Sequence, residues 1–394
     1  MAFLTIDDKR ECLGYYNDGE LVFSRLPLTN QLRTWKYNVH LHDSNAEFAN
    51  LYVDGKDFGE VCPEHLNNEW SRLNSKFKAF VRSFIESKMS LDDHCFYELV
   101  PKRFIIEYSE IKCKIIDHIF ETIKKPADYI LRSHIERLIT DISLEKLNLN
   151  FALLDHKKHD KITRDFISRY SKGEQKIIYD QFNSKTGRLT TKENSFPVLT
   201  INKQYRDVIQ ASNDFLIEID YNAAEVRTFL ALCGQKQPDN DIHEWNMKKF
   251  GFSDRDEAKI NFIAWMYGKK SNKDKEFRKI YNTDLIKDKY WDGSQITNHY
   301  GKKIQSDEFH AVNYVVQSTT AMLALSQAIE VKKILKNCQS KIIMLIHDSI
   351  VIDMKKEEKQ KIQEIIDTYT NTEFGKFKAC AKIGKNLGNM RNFQ

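Results

Sequence analysis

The sequence has no apolar run long enough to cross a membrane and no C-x-x-C pair. Its longest apolar stretches, such as residues 342–346, fall far short of the roughly 20 residues that a membrane-spanning helix requires. The seven cysteines are scattered, so their spacing does not indicate zinc or thiol redox chemistry. Asp7 and Asp8 precede any apolar signal region, and the sequence therefore predicts a cytoplasmic protein that is not secreted.

Proline and glycine are also scarce, with 6 and 14 residues in a chain of 394. No internal repeat of roughly 20 to 50 residues is visible, which argues against solenoids and propellers. Charge is nearly balanced, and the net charge of +5 does not by itself indicate a nucleic-acid-binding protein. The composition, 41% hydrophobic and 30% charged, is that of an ordinary globular protein. The length favours two or three domains.

The hydrophobic spacing changes along the chain. Alternating residues after a turn signal at residues 17–19 predict a small β-containing segment over residues 1–63. Apolar residues three and four apart predict amphipathic helices over residues 64–154, with breaks near Pro101 and Pro126. A basic stretch follows, for which a solvated helix face is the ordinary interpretation. Its cations are Lys157, Lys158, Lys161, Arg164, Arg169, Lys172 and Lys176.

Two aspartates are predicted at the ends of strands. Alternation over residues 215–219 marks a strand that ends at Asp220, and residues 342–346 and 350–352 are typical of a β-hairpin with Asp348 at its tip. Adjacent carboxylates repel each other unless a proton or a cation compensates them, and Mg²⁺ suits such hard oxygen ligands. The ordinary alternatives are that Asp220 caps the following helix and that Asp348 serves the turn.

A predicted helix between the two aspartates has a mixed stripe. Four of its side chains recur every fourth residue, which places them on one helix face closed by Gly268. The stripe consists of Arg255, Lys259, Ile263 and Tyr267. Its cationic end suits a triphosphate and its apolar end suits a sugar or a nucleobase. An ordinary surface helix explains the two cations but not the apolar continuation.

Together with several short motifs in the same order, these features resemble a family A DNA polymerase, the class of bacterial DNA polymerase I and its phage relatives. DYNAAEVR at residues 220–227 resembles motif A, residues 255–268 resemble motif B, and HDS at residues 347–349 resembles motif C. The likeness extends from about Tyr179 to Met390. Further matching segments are FNSKTGRLTT at 182–191, DIH at 241–243, NYVVQSTTA at 313–321 and AKIGKNL at 381–387.

The resemblance implies an α+β fold shaped like a right hand. Its palm, an antiparallel sheet, would comprise residues 179–230 and 311–394, with the fingers at 231–310. The helical thumb would comprise residues 64–178. The N-terminal β-containing segment, residues 1–63, would be a vestigial exonuclease domain or a docking module for replication proteins.

The activity that the resemblance implies is template-directed, DNA-dependent DNA polymerisation that extends a primer 3′ end with dNTPs. Primer–template DNA and dNTPs are then the partners, with no membrane involved. Asp220, Asp348 and the carbonyl of Tyr221 would hold two Mg²⁺ ions. Glu225 and Tyr267 would select the sugar, since the family's glutamate packs where a ribose 2′ hydroxyl would project.

Two further groups of residues receive roles from the resemblance. Arg255, Lys259 and His243 would bind the triphosphate, and Lys259 is also a candidate acid for the leaving group. Contacts to the minor-groove side of the primer terminus, where the hydrogen-bond pattern is degenerate, would test pair geometry without reading sequence. The residues expected to make them are Arg188, Asn313, Gln317 and His347.

The chain departs from the family pattern at several positions. Ser349 stands where motif C usually has Glu, Ile263 replaces the aromatic residue common in motif B, and residues 222–223 replace Ser and Gln of motif A. The intervals between the motifs are short, so we expect abbreviated fingers. Asp7, Asp8 and Glu11 do not form the D-x-E start of a proofreading exonuclease, and we expect no 3′ to 5′ exonuclease activity.

Two other functions stay open from the sequence. Single-subunit phage RNA polymerases resemble HDS at motif C, so Ser349 favours an RNA polymerase or a primer-making enzyme, against which the retained Glu225 argues. A non-catalytic DNA-binding or scaffolding protein would be expected to lack metal ligands, yet both aspartates are present. Reverse transcription and lesion bypass are compatible with the motifs. The small size suggests a phage or mobile-element enzyme, in the cytoplasm of a bacterial or phage-infected cell.

Overall fold

The computed structural model describes residues 4–7, 14–17, 19–23, 32–41, 44–89, 94 and 96–393. Within these residues the chain mixes helices and strands, which confirms the predicted α+β class. It divides into two compact units, Met1–Thr140 and Asp141–Gln394. Asp8 and Glu11 of the exonuclease prediction lie outside the described residues. No helix in the described part of the chain combines the length and the apolar character that a membrane span requires.

The first unit contains a small antiparallel sheet, a short parallel pair of strands and several helices. The strands are β1 (Leu4–Asp7), β2 (Gly14–Asn17), β3 (Glu20–Val22), β4 (Arg33–Thr34) and β5 (Glu47–Phe48). The helices are α1 (Ala49–Tyr52), α2 (Phe58–Val61), α3 (Asn67–Glu86), α4 (Phe96–Leu99) and α5 (Lys102–Thr122). Strands β1, β2 and β3 pair in order, so the expected β-containing segment is present.

The core of the first unit forms on the amphipathic helices. Helix α5 begins directly after Pro101, whose missing N–H costs nothing at a helix start. Its buried residues Phe104 and Ile111 belong to the same apolar cluster as Trp70 and Leu73 of α3. The spacing of three and four residues between apolar side chains thus corresponds to one buried face on each helix, as expected.

The second unit contains a central sheet, several two-stranded pairs and the remaining helices; helix α6 (Tyr129–Ser143) contains the division between the units. Its strands are β6 (Asn148–Leu149), β7 (Tyr179–Asp180), β8 (Thr190–Thr191), β9 (Ile209–Gln210), β10 (Phe215–Tyr221), β11 (Gln295–Thr297), β12 (Lys303–Gln305), β13 (Lys341–Ile346), β14 (Ser349–Met354), β15 (Asn371–Thr372), β16 (Gly375–Lys376), β17 (Ala379–Gly384) and β18 (Arg391–Asn392). Its helices are α7 (Lys161–Tyr170), α8 (Ala224–Leu232), α9 (Ile242–Phe250), α10 (Arg255–Met266), α11 (Asp274–Ile280), α12 (Thr283–Tyr290), α13 (Glu308–Ile334) and α14 (Ile362–Thr370).

The central sheet has the order β13-β14-β10-β17-β18 and is antiparallel throughout. Strand β10 occupies its middle, where Asp220 pairs with Ser349 of β14 on one side and with Cys380 of β17 on the other. Strands β13 and β14 form the expected hairpin, whose two turn residues are His347 and Asp348. The register therefore puts Asp348 beside Asp220.

A helical layer follows the sheet in the second unit. Phe229 of α8, Phe262 of α10 and Phe277 of α11 belong to one apolar cluster that also includes residues of α13. Helix α10 begins at an Asp254 N-cap, whose side chain accepts a hydrogen bond from the Glu257 N–H. Because this cluster buries one side of α10, the opposite face of the helix is left to form the wall of a cavity.

Candidate active site

A cavity of about 670 Å³ in the second unit is bounded by β10, α8, α9, α10, α13 and the β13–β14 turn. Most of the residues singled out in the sequence line it, although they come from segments far apart in the chain. These residues are Arg188, Asp220, Tyr221, Glu225, His243, Arg255, Lys259, Ile263, Tyr267, His347 and Asp348. Asn313 and Gln317 do not line it directly, but the Gln317 side chain donates a hydrogen bond to the Tyr267 hydroxyl at 3.3 Å.

The two aspartates form a pair of repelling, half-buried carboxyl groups. Burial raises the pKa of Asp220 to about 6, and the charges of Asp348 and Glu218 act in the same direction. Burial also raises the pKa of Asp348, against hydrogen bonds from its own N–H and from the Ala224 N–H. The N-cap residue of helix α8 is Ala223, which supplies no side-chain cap, so Asp220 does not have the capping role that an ordinary interpretation gave it.

This donor set fits a hard cation that completes its coordination elsewhere. Mg²⁺ prefers carboxylate oxygens and keeps several waters, so one or two carboxylates and substrate phosphates suffice. In the described part of the chain, no group of three or more His, Cys, Asp or Glu side chains is arranged to hold a metal ion. Asp220 and Asp348 thus fit an ion whose other ligands come from substrate and water.

Tyr369 of α14 contacts both the residue after Asp220 and the backbone of Asp348. The Tyr369 ring stacks on that of Tyr221 with centroids 4.5 Å apart, and the Tyr221 hydroxyl donates to the Tyr369 carbonyl. The Tyr369 hydroxyl in turn donates to the carbonyl of Asp348 at 2.9 Å. Ser349, which departs from motif C, is buried and donates to the Ile346 carbonyl at 3.0 Å. Its hydroxyl therefore serves the turn that presents Asp348.

The cationic wall of the cavity belongs to α10. Arg255 contacts Asp241 at 2.9 Å and Asp256 at 3.1 Å, whereas exposed Lys259 forms no ion pair with any described residue. Asp241 also accepts hydrogen bonds from the N–H groups at the start of α9 and from the Asn222 side chain at 2.8 Å. Burial favours a higher pKa for Asp241, but the hydrogen bonds from Arg255 and Asn222 hold it well below the usual range.

His243 is 2% exposed and faces this cationic wall. Burial lowers the pKa of His243 to about 4; Asp241 opposes this shift, and the charges of Arg255 and Lys259 reinforce it. Its Nδ1 atom is buried and has no hydrogen-bond partner among the described residues. The imidazole is therefore neutral near neutral pH, with one ring nitrogen unsatisfied.

The fold around this cavity matches a solved polymerase structure. The POL domain of Pol1 from M. smegmatis, solved in complex with a DNA primer-template and dNTP, aligns with a TM-score of 0.63 over 91% of this chain and 86% of that chain. The fold is that of a polymerase domain. At 11% identity the likeness extends to the fold alone. No protein-family model and no curated protein matches the sequence.

On this polymerase-type fold, the residues expected to select the sugar contact those expected at the primer terminus. The Tyr267 hydroxyl donates to the Glu225 carboxylate at 2.5 Å, and Arg188 forms an ion pair with the same carboxylate. Gln317 extends this network through Tyr267. Asn313 has a buried side-chain oxygen without a partner in the described residues. Two of the four residues predicted at the primer terminus, Arg188 and Gln317, thus share one polar network with Glu225 and Tyr267.

The register of α10 explains one departure from motif B. Phe262 is fully buried and packs on Tyr281, with ring centroids 4.4 Å apart, whereas Ile263 lines the cavity. The aromatic residue next to Ile263 therefore belongs to the core. At this position α10 therefore presents the aliphatic side chain of Ile263 to the cavity.

Sequence reasoning missed Arg227, whose side chain is fully buried in α8. It donates to the carbonyls of Asn222 at 2.9 Å, Pro238 at 3.0 Å and Asn240 at 2.8 Å. These bonds fix the loop before α9, and with it Asp241, to the end of β10. The available signal was a lone cation in a helix whose remaining residues are mostly apolar. Cys380 also lines the cavity and was not singled out.

The raised pKa of Asp220 predicts an unusual dependence of stability on pH. A folded-state pKa of about 6 exceeds the ordinary value of about 4. The stabilisation from protonation is therefore complete below about pH 4 and is lost as the pH rises through about 6. Without metal, Asp220→Asn should melt at a higher temperature than the wild type above about pH 7, and the difference should shrink in acid.

Differential scanning fluorimetry between about pH 5 and pH 8 measures this difference. Added Mg²⁺ should raise the melting temperature of the wild type near neutral pH and that of Asp220→Asn much less, because binding to the folded state stabilises it. Asp367→Asn, which removes an exposed carboxylate of α14 outside the cavity, is a control that leaves both aspartates and the charges around them in place. Equal responses of the wild type and Asp220→Asn to Mg²⁺ would contradict a metal site at Asp220.

Proposed function

We propose that this chain is a template-directed, DNA-dependent DNA polymerase that extends a primer 3′ end with dNTPs by a two-metal-ion mechanism. The observation that carries the proposal is the convergence of Asp220 and Asp348 with the cations of α10 on one cavity. The likeness of the fold to a POL domain solved with primer-template and dNTP supports it. Asp7, Asp8 and Glu11 do not form the D-x-E start of a proofreading exonuclease, so the proposal includes no 3′ to 5′ exonuclease activity.

In this proposal the hand is divided as the motifs suggest. The central sheet belongs to a palm of residues 179–230 and 311–394, and the helices with the cationic wall belong to fingers at 231–310. Residues 64–178 are the helical thumb. The small N-terminal segment, residues 1–63, is a docking module or a vestige of an exonuclease domain, and the enzyme acts in the cytoplasm.

The chemistry requires the protein to position groups and to balance charge. Asp220, Asp348 and the Tyr221 carbonyl would hold Mg²⁺, which when bound acidifies the primer 3′ hydroxyl and stabilises the departing pyrophosphate. Lys259 and Arg255 then bind phosphate oxygens by charge-assisted hydrogen bonds, since phosphoryl transfer depends mainly on positioning and charge. Lys259 has no competing ion pair among the described residues, so it is also the residue assigned to protonate the leaving group.

His243 has a distinct role on the same wall. As a neutral imidazole it accepts or donates one hydrogen bond and adds no charge next to Arg255 and Lys259. A phosphate near the ring would favour its protonated form and add a third cation at the moment of binding. Its buried Nδ1 atom has no partner among the described residues, so this atom is available to form a hydrogen bond with a ligand.

Sugar selection is assigned to Glu225, held between Arg188 and Tyr267. A ribose 2′ hydroxyl at this carboxylate would disturb its contacts with Arg188 and Tyr267 and meet a steric and desolvation penalty. We expect Glu225→Ala to raise ribonucleotide incorporation by about 10-fold or more, since one small group changes discrimination by that order. Primer extension on a DNA template with Mg²⁺, using dNTPs and NTPs in parallel, measures the ratio.

Tyr267→Phe keeps the ring and removes only the hydroxyl that donates to Glu225, so it measures the contribution of this hydrogen bond separately from that of the carboxylate. Unchanged discrimination in Glu225→Ala would remove the sugar-selecting role. A wild type that prefers NTPs would replace the proposal with an RNA polymerase or primer-making enzyme, and no extension with either substrate would leave a non-catalytic DNA-binding protein. Running the same assay on an RNA template tests reverse transcription.

A further inference from the structure

Phe309, in the first turn of α13, is a large aromatic side chain that is 67% exposed. Its ring lies against the backbone at Gly268, where a methyl group on the glycine would come within 2.7 Å of the ring. Gly268 directly follows the cavity residue Tyr267 and has a φ of +89°, which favours glycine. An exposed aromatic face is thus fixed next to the end of α10, beside the candidate active site.

The same face of α13 leads from this ring towards the cavity. Phe309, Asn313 and Gln317 are four residues apart, which aligns them along the helix. Gln317 donates to the Tyr267 hydroxyl, and Tyr267 lines the cavity. A nucleic-acid strand in contact with Asn313 and Gln317 would therefore reach the Phe309 ring one helical turn later.

Two further rings and one cation lie near Phe309. The His310 ring is 5.0 Å from that of Phe309, and Tyr314 stacks on His310 at 5.4 Å. The Lys185 ammonium lies over the Tyr314 ring, 4.7 Å from its centroid. Aromatic faces for bases next to cations for phosphates are the usual surface for single-stranded nucleic acid, where stacking does not depend on sequence.

We propose that Phe309 is a stacking platform for an unpaired base of the template strand. This inference rests on the proposed polymerase function. A ring offers its face only to a base that is not enclosed in a duplex, and near the primer 3′ end the strand that continues unpaired is the template. Phe309 therefore binds the template ahead of the site of synthesis, whereas Asn313 and Gln317 contact the duplex behind it.

The experiment compares the affinity for two DNAs, a blunt duplex and the same duplex with a single-stranded 5′ template overhang, by fluorescence anisotropy. The wild type should bind the overhang DNA more tightly. Phe309→Ala should lose about 5- to 100-fold of affinity for the overhang DNA only, which is the usual range for removing one stacked base. Phe309→Trp should retain the preference, and Phe309→Leu, which keeps apolar volume without an aromatic face, should lose it.

Ile260→Ala is the matched control, because Ile260 is 68% exposed on α10 and does not line the cavity. A 2-aminopurine at the first unpaired template position gives a second readout: its fluorescence should be quenched by the wild type and not by Phe309→Ala. Equal affinity losses for blunt and overhang DNA, or none for either, would overturn the platform. If the wild type extends primers and Phe309→Ala shows no overhang effect, only this inference fails; if the wild type binds neither DNA, the proposed function fails.

Discussion

Replacing Asp348 with Ala should reduce the rate of single-nucleotide primer extension by roughly 1000-fold or more. Asp348 is one of the two carboxylates on which any metal ion in the cavity depends, since no larger group of metal-binding side chains is present in the described residues. A catalytic metal supplies several kcal/mol of transition-state stabilisation, and each ~1.4 kcal/mol is a factor of ten in rate. Gel-resolved incorporation at saturating dNTP and Mg²⁺ measures the loss.

The variant should keep its fold, which makes the loss interpretable. Tyr369 donates to the backbone carbonyl of Asp348, so the hydrogen bond survives truncation of the side chain. Truncation also removes the hydrogen bonds that the carboxyl group accepts from its own N–H and from the Ala224 N–H, but relief of the repulsion with Asp220 offsets this loss, so the melting temperature should stay close to that of the wild type. Asp367→Ala removes an exposed carboxylate of α14 that is paired with Lys376, and it should retain activity. Activity of Asp348→Ala within about tenfold of the wild type would refute a two-carboxylate metal site.

Asp220 and Asp348 are predictable from sequence because each one ends a local hydrophobic pattern. The apolar pattern predicts strands at the seven residues of β10 and at the two halves of the β13–β14 hairpin. The aspartates are therefore recognised as strand-end residues. Their proximity across the sheet is not predictable from these local patterns. It depends on the register between β10 and β14, which joins residues more than one hundred positions apart.

The stripe of α10 is predictable for the same local reason, since four-residue spacing defines a helix face. Which aromatic residue that helix buries is not predictable, because Phe262 and Ile263 are adjacent and only the packing of Phe262 on Tyr281 decides between them. Short polar contacts across the chain are equally hidden. The hydrogen bond from the Asn222 side chain to Asp241 at 2.8 Å has no counterpart in any local pattern.

These hidden contacts determine how Arg255 is presented. Arg227 fixes the loop before α9, Asn222 donates to Asp241, and Asp241 accepts from Arg255 at 2.9 Å. Arg255 is thus oriented by an acid that also partly neutralises it, and a triphosphate must compete with that acid. Lys259, one turn further along α10, has no such partner in the described part of the chain and offers its full charge to the cavity.

This difference predicts unequal losses for the two cations. Lys259→Met should lower kcat/KM for dNTP by about 100-fold, since a hydrogen bond between charged groups is worth about 1.5–3 kcal/mol and Lys259 also has the proton for the leaving group. Arg255→Met should cost less, because Asp241 already neutralises part of the charge that Arg255 offers to the triphosphate. Steady-state extension with varied dNTP separates kcat from KM for each variant.

The split between the two constants tests the assignment of the acid. Lys259→Arg keeps the charge but not a readily released proton, so KM should return close to the wild-type value while kcat stays low. Lys279→Met, which removes an exposed cation of α11 outside the cavity, controls for net charge and should leave both constants unchanged. If Lys259→Met and Lys279→Met lose activity equally, the cationic wall acts only through the general field of the protein, and the contact between Lys259 and the triphosphate must be abandoned.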